Sequence, residues 1–253
     1  MIKFFRNIRQ QLLGEGKTSR YFKYAVGEVL LVVVGILIAL QINNWNLERK
    51  NNQLKENYLT RLINDIAQDT LNINDVISNL DNSQKAITNF TQTIHSSTEN
   101  SELDSTISKY FELGWIINDF VVTDNTYKDL SQTGNMNIIK NDSLIDDIIA
   151  FYGYVKIVEN YHTINKNWIT PMDLEVAKAT PAFELDPSTK ILFEHKNRDE
   201  AIANFRLQAA LMERNAAGHF WINQSLSNNL KALKGVSIKL LKALEAERST
   251  LTN

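Results

Sequence analysis

Cysteine is absent from the 253 residues, which removes disulfides, thiolate nucleophiles and cysteine-based zinc or iron–sulfur sites together. It leaves the redox compartment open, because a chain without thiols tolerates either side of a membrane. Histidine is nearly as scarce, with four residues, and His95, His195 and His219 are scattered. No H-E-x-x-H, G-x-S-x-G or Walker-type glycine loop occurs. Catalysis would have to rest on carboxylates, Lys, Tyr or Ser that no motif singles out, so the chain reads as a non-enzyme with no cofactor and no metal centre. A basic excess is also missing: 27 Lys and Arg face 29 Asp and Glu, for a net charge of −2. Nucleic-acid binders need surplus cations to displace counterions from phosphate, so nucleic acid is not an expected partner. Finally, no Gly or Pro interrupts the chain between Ile36 and Leu113, and all three prolines fall between 171 and 187.

What is present is a hydrophobic share of 43%, too high for wholesale disorder, and one long apolar run. Ala25 to Ile42 reads AVGEVLLVVVGILIALQI, and Val29 to Leu40 within it has nothing polar. As a helix it would cover about 27 Å, near the roughly 30 Å hydrocarbon thickness of a bilayer. A buried core helix or a cleaved signal peptide would carry a similar run. Against cleavage, Ala39-Leu40-Gln41 is a poor small-x-small site, and Asn43-Asn44-Trp45 follows at once, with Trp45 suited to the headgroup layer. Residues 21–45 are therefore read as a transmembrane anchor in contact with membrane lipid. Glu28 sits about one turn inside this span, either at headgroup depth near Lys23 or as a functional carboxylate. Glu28, Val32, Gly35, Ala39 and Asn43 share one face, and Gly35-x-x-x-Ala39 is a small-x-x-x-small pair of the kind that lets helices approach closely.

Upstream, Ile2, Phe5, Ile8 and Leu12 recur on one side of a stretch whose other side carries Lys3, Arg6 and Arg9. Residues 1–20 read as a basic amphipathic arm lying in the membrane interface, with Thr18 or Ser19 capping the spanning helix. Lys17, Arg20 and Lys23 before the span balance Arg49, Lys50 and Lys55 after it. Arg6 and Arg9 against Arg61 tip the wider count toward a cytoplasmic N-terminus. That orientation puts the large C-terminal part outside the inner membrane, in the periplasm of a Gram-negative cell.

Residues 46–253 are expected to form an all-α, antiparallel bundle of long helices into which the spanning helix continues. Leu59, Leu62, Ile66, Ile73, Val76, Leu80, Ile87, Phe90 and Ile94 follow three- and four-residue steps in a coiled-coil-like packing stripe, broken by Asp69 and Ser83. Ser96 to Asp104 ends that helix, and a shorter one presents Ile107, Tyr110, Phe111 and Trp115. Phe120-Val121-Val122 is the one extended run. Gly134 reads as a left-handed helix stop. Asn141 or Asp142 caps a helix to about Ile169, ahead of Pro171. Asn197-Arg198-Asp199-Glu200 has the form of a capping box that opens one helix to about Arg248, with Phe205, Met212, Ile222, Leu226, Leu233, Leu240 and Leu244 as its apolar positions. The two longest helices, about Leu47 to His95 and Asp199 to Arg248, match in length and suit antiparallel pairing.

The run YFKYAVGEVLLVVVGILIALQINNWNLERK, Tyr21 to Lys50, resembles a bacterial membrane-protein family of unknown function, domain of unknown function 6090. FFRNIRQQLLGEGKTSRY before it is similar to that family's N-terminal arm, and TYKDLSQTGNMNIIKNDSL, Thr126 to Leu144, is a second similar block. The resemblance implies a single-pass bacterial protein with a helical extramembrane part. It brings no activity, substrate or catalytic residue.

Glu159-x-x-His162 has the spacing of diiron carboxylate bundles, but such a centre needs a second copy and two further Glu. A polar position on a bundle helix explains it more simply. Phe151, Tyr152, Tyr154, Tyr161 and Trp168 either line a pocket or pack a core. The polar block Asn125 to Asn141, with Asn125, Tyr127, Gly134 and Asn135, is the better candidate for contacting a partner, since it reads as a loop at the bundle's far end. The leading function is a membrane-anchored interaction or scaffold protein, self-associating or bound to a protein partner. The alternative is a periplasmic small-ligand sensor domain acting through a second protein, its ligand unknown.

Overall fold

The computed structural model describes residues 18–251. The expected interfacial arm therefore lies, as far as residue 17, outside the described residues. The described chain is all-α, with no strand, and it divides into two compact units, Met1–Asn57 and Tyr58–Asn253.

The first helix, α1, is Thr18–Ser96. In the first unit every side chain from Val29 to Ile42 is exposed. The stretch has a mean hydropathy of 2.5, is buried nowhere, and is long and apolar enough to cross a membrane. A helix that is apolar on all sides finds no aqueous face to present, so it belongs in a core or a bilayer.

In the second unit the core begins at Tyr58. The remaining helices are α2 (Asn100–Lys109), α3 (Asn125–Gln132), α4 (Asp142–Ala179), α5 (Ala182–Leu185), α6 (Arg198–Leu207) and α7 (Ala209–Ser249). The expected turn over Ser96 to Asp104 shrinks to three residues, because Asn100 onward is already helical. α2 ends in a π-helical turn, Tyr110–Gly114, in which Trp115 N donates to Tyr110 O at 2.8 Å. A Cβ on Gly114 would sit 2.7 Å from the Tyr110 ring and 2.9 Å from Ile87, so only glycine fits that turn.

From there the chain returns antiparallel to α1 through the expected extended run. Phe120 and Val122 are buried while Val121 is exposed, the alternation of extended backbone. Hydrogen bonds fix the register. Thr123 donates from N (2.9 Å) and Oγ1 (3.0 Å) to Asp69, Thr126 Oγ1 to Asp65 (2.5 Å), and Asn135 Nδ2 to the Tyr58 hydroxyl (3.0 Å). Gly134, at φ +73°, supplies the expected left-handed stop after α3.

α4 starts where the sequence places it, with Asn141 Oδ1 accepting from Leu144 N at 3.2 Å. It does not stop before Pro171 but runs through it to Ala179. The ring sits on the exposed side, while Ile169 and Val176 hold the inner side in the core. Packing thus offsets the lost N–H bond. The single helix expected from Asp199 to Arg248 is two. Asn197 Oδ1 caps α6 through Asp199 N and Glu200 N, and then Gln208, at φ −102° and ψ 20°, ends α6 and begins α7. α6 is held by Arg198, whose guanidinium donates to Asp104 (2.8 and 2.9 Å) and to the Glu184 and Leu185 carbonyls (both 3.2 Å).

α7 pairs antiparallel with α1: His95 meets Glu213 at 2.5 Å, Gln84 meets Gln224 at 2.9 Å, and Asn223 Nδ2 donates to Ser83 Oγ at 2.6 Å. It also runs antiparallel to α4. There a Cβ on Gly218 would press into the Ile169 side chain, a close approach that the glycine permits. The second unit is therefore an up-down-up-down arrangement of α1, the α2-to-α3 return, α4 and α7. One core lies between Tyr58 and Leu80 of α1, α4 and the C-terminal half of α7. Ile87, Phe90 and Ile94 form a second with α2, α5 and α6.

Candidate functional site

The sequence nominates two groups of residues, and they fall in different units. In the first unit Gly35, Ala39 and Trp45 are exposed and Glu28 is half-buried. A Cβ at Gly35 would meet nothing within 4 Å, so the small-residue face is open.

In the second unit the Asn125-to-Asn141 block lies beside Tyr58 and Asp65, at the end where the unit begins, rather than at the far end expected for it. The reason is the extended return, which carries the chain back along α1 before α3 forms. Asn125 and Gly134 are exposed. Tyr127 stacks on Tyr152, with ring centroids 4.3 Å apart, and Asn135 holds the Tyr58 hydroxyl. Two of the four candidate contact residues thus already have structural work within the bundle.

Glu159 is exposed and His162 buried. His162 Nε2 lies 3.1 Å from Asp119 Oδ1, and neither buried ring nitrogen makes a hydrogen bond of full geometry. Asp119 is also engaged by Lys166 Nζ at 2.8 and 2.9 Å. Burial lowers the His162 pKa below its ordinary value, with Asp119 pulling the other way.

The aromatic cluster on α4 splits between the two readings. Phe151 and Tyr152 are core residues, and Tyr154 packs against that core. Tyr161 and Trp168 face outward. With Ile157 and Ile164 they follow steps of four, three and four residues along one side of α4, and Trp221 of α7 joins them. Each of these five is 54–58% exposed. The Trp168 and Trp221 rings meet edge to face at 5.7 Å, and with Ile164 and Asn165 they line a groove of about 430 Å³. The charged residues Lys156, Glu159 and Lys166 project round the helix from this row, since each residue advances about 100°. These side chains thus form a continuous exposed apolar row rather than singly scattered surface residues.

Sequence reading also missed a buried polar chain. Tyr110 Oη donates to Asn215 Oδ1 (3.0 Å), Asn215 Nδ2 donates to Asp173 Oδ1 (2.8 Å), and His219 Nε2 lies 2.7 Å from the same oxygen. Trp115 stacks on His219 at 5.7 Å. Burial, with the Asp173 charge second, raises the Tyr110 pKa well above its ordinary value, so the hydroxyl stays a donor. The one signal available in sequence was Asn215 and His219, four residues apart among the apolar positions of α7.

No curated protein and no solved structure matches the chain. The matched segment starts at Glu28 and ends at Tyr110, so it takes in most of the apolar run and the α1 packing stripe but neither the N-terminal arm nor the Thr126-to-Leu144 block. Over that segment, residues 28–110, the chain matches the model of a family described as being of unknown function (DUF6090).

Proposed function

We propose that this chain is a membrane-anchored helical bundle that self-associates, in the inner membrane of a bacterium, with its N-terminus cytoplasmic and its second unit periplasmic. The exposed apolar run of α1 supports the anchor, and the Lys and Arg count around that run supports the direction. Self-association rests on the row Ile157, Tyr161, Ile164 and Trp168 with Trp221. A second copy is the occupant that suits it, because a two-fold axis brings such a row against itself and covers both copies at once. At their observed exposure these five side chains present roughly 700 Å², close to the roughly 800 Å² per partner that a specific interface buries. In the membrane, the Gly35 and Ala39 face would let two spans approach closely and add to the same association.

The test is the mass of the full chain in mild detergent. The wild type is expected to be dimeric or larger. Ile164→Glu, which sets a carboxylate in the middle of the row, is expected to weaken association at least tenfold while leaving the helical circular dichroism unchanged. A monomeric wild type, or an Ile164→Glu protein that associates as well as wild type, would overturn this assignment of the surface.

A further inference from the structure

The cleft beside the polar chain has the chemistry of a ligand site, and it is separate from the α4 row. It lies between the π-turn, α4 and α5, with a volume of about 290 Å³, at the lower edge of the roughly 300–1,000 Å³ typical of small-molecule sites. Phe111, Trp115, Phe183 and Leu174 form its apolar walls, and Asp173 and Asp186 are its charged lining residues, with no Lys or Arg among them.

Each carboxylate is held in place by donors on Oδ1. Asp173 takes Asn215 and His219 there, and Asp186 takes Ser188 N at 2.8 Å and Ser188 Oγ at 2.7 Å. The donors to Asp173 are themselves fixed: Asn215 and His219 are fully buried, Asn215 by the Tyr110 hydroxyl and His219 by the Trp115 ring. His219 Nε2 and Asn215 Nδ2 meet the same oxygen of Asp173, and the carboxylate lines the cleft wall. Two carboxylates of fixed orientation among aromatic rings repel anions and give a neutral ligand no charge partner. A cation with an apolar body meets both features, ion pairing at the carboxylates and ring faces for the remainder.

We propose that this cleft binds a small organic cation, an ammonium group on an aromatic or short alkyl body, with Asp173 as its charge partner and Trp115, Phe111 and Phe183 as its walls. The test uses the full chain in zwitterionic lipid nanodiscs, titrated by calorimetry against empty nanodiscs. Three probes of one shape serve as ligands: phenethylammonium, the neutral 2-phenylethanol and the anionic 3-phenylpropionate. Phenethylammonium is expected to bind at least tenfold tighter than 2-phenylethanol, and 3-phenylpropionate weakest. Asp173→Asn should abolish the preference for the cation. Because Asp173 also holds Asn215 and His219, a second variant is needed that leaves the polar chain intact. Leu174→Arg, at an exposed position on the rim, should lower phenethylammonium affinity at least tenfold with the fold unchanged by circular dichroism. Equal binding of the three probes, no binding of the cation to folded wild type, or cation binding unchanged in Leu174→Arg would overturn the proposal. None of these outcomes bears on self-association, which is read from mass and cross-linking and not from ligand binding.

Discussion

Asp69 and Ser83 interrupt the apolar stripe of α1 at positions that are nonetheless buried, and each earns its place by a bond to another element. Asp69 receives both the N–H and the hydroxyl of Thr123. Burial raises its pKa, while those two bonds pull it down. Asp69→Ala would leave the Thr123 N–H unsatisfied, and the expected loss is about 1–3 kcal/mol, measurable by denaturant unfolding. Glycines divide in the same way by what surrounds them. Gly114→Ala drives a methyl into the Tyr110 ring and Ile87, at an expected cost of about 1–3 kcal/mol. Gly153, inside α4 with nothing within 4 Å of a Cβ, should gain about 0.5–1 kcal/mol on substitution by Ala. His162 sets a pH dependence. Its folded pKa lies below 6.5 because of burial, so below pH 6.5 the unfolded chain takes up a proton that the folded chain resists, and stability falls. Wild type should therefore lose more melting temperature between pH 7.5 and pH 5.5 than His162→Gln does. Equal losses would mean that the imidazole takes up its proton equally in the folded and the unfolded chain.

At the scale of the element, sequence periodicity located most of the inward faces. Each apolar position read on what became α6 and α7, from Phe205 to Leu244, is buried, as is nearly all of the α1 stripe. What periodicity could not show was where a helix ignores its own punctuation. Pro171 has the local chemistry of a stop, yet tertiary packing on the opposite side carries α4 through it. Gln208 has no Gly or Pro beside it, yet α6 ends there, at φ −102° and ψ 20°, while Arg198 at the other end ties that helix to α2 and α5. The outer row of α4 was read only as an undivided aromatic cluster, since the three- and four-residue spacing that marks a buried face marks an exposed one equally well. Which side a row faces depends on the neighbours. A charge at Ile164 tests the outward reading, because a core position would unfold on Ile164→Glu while this one is expected only to lose its partner.

Across the whole molecule, the apolar run and the all-α fold were legible in the sequence. The polar chain through Asp173 was not, because His219 and Asp173 stand 46 residues apart and meet only once α4 and α7 pack antiparallel. The proposed anchor predicts that the chain sediments with membranes and resists extraction by alkaline carbonate, whereas release into the soluble fraction would remove the membrane from the account. Self-association is the central claim, and the native absence of cysteine makes it directly measurable. Ile164→Cys, oxidised in native membranes, is expected to give a disulfide-linked dimer, while Lys85→Cys on α1 stays monomeric. If Ile164→Cys remained monomeric, or if both positions cross-linked alike, the α4 row would not be where two copies meet.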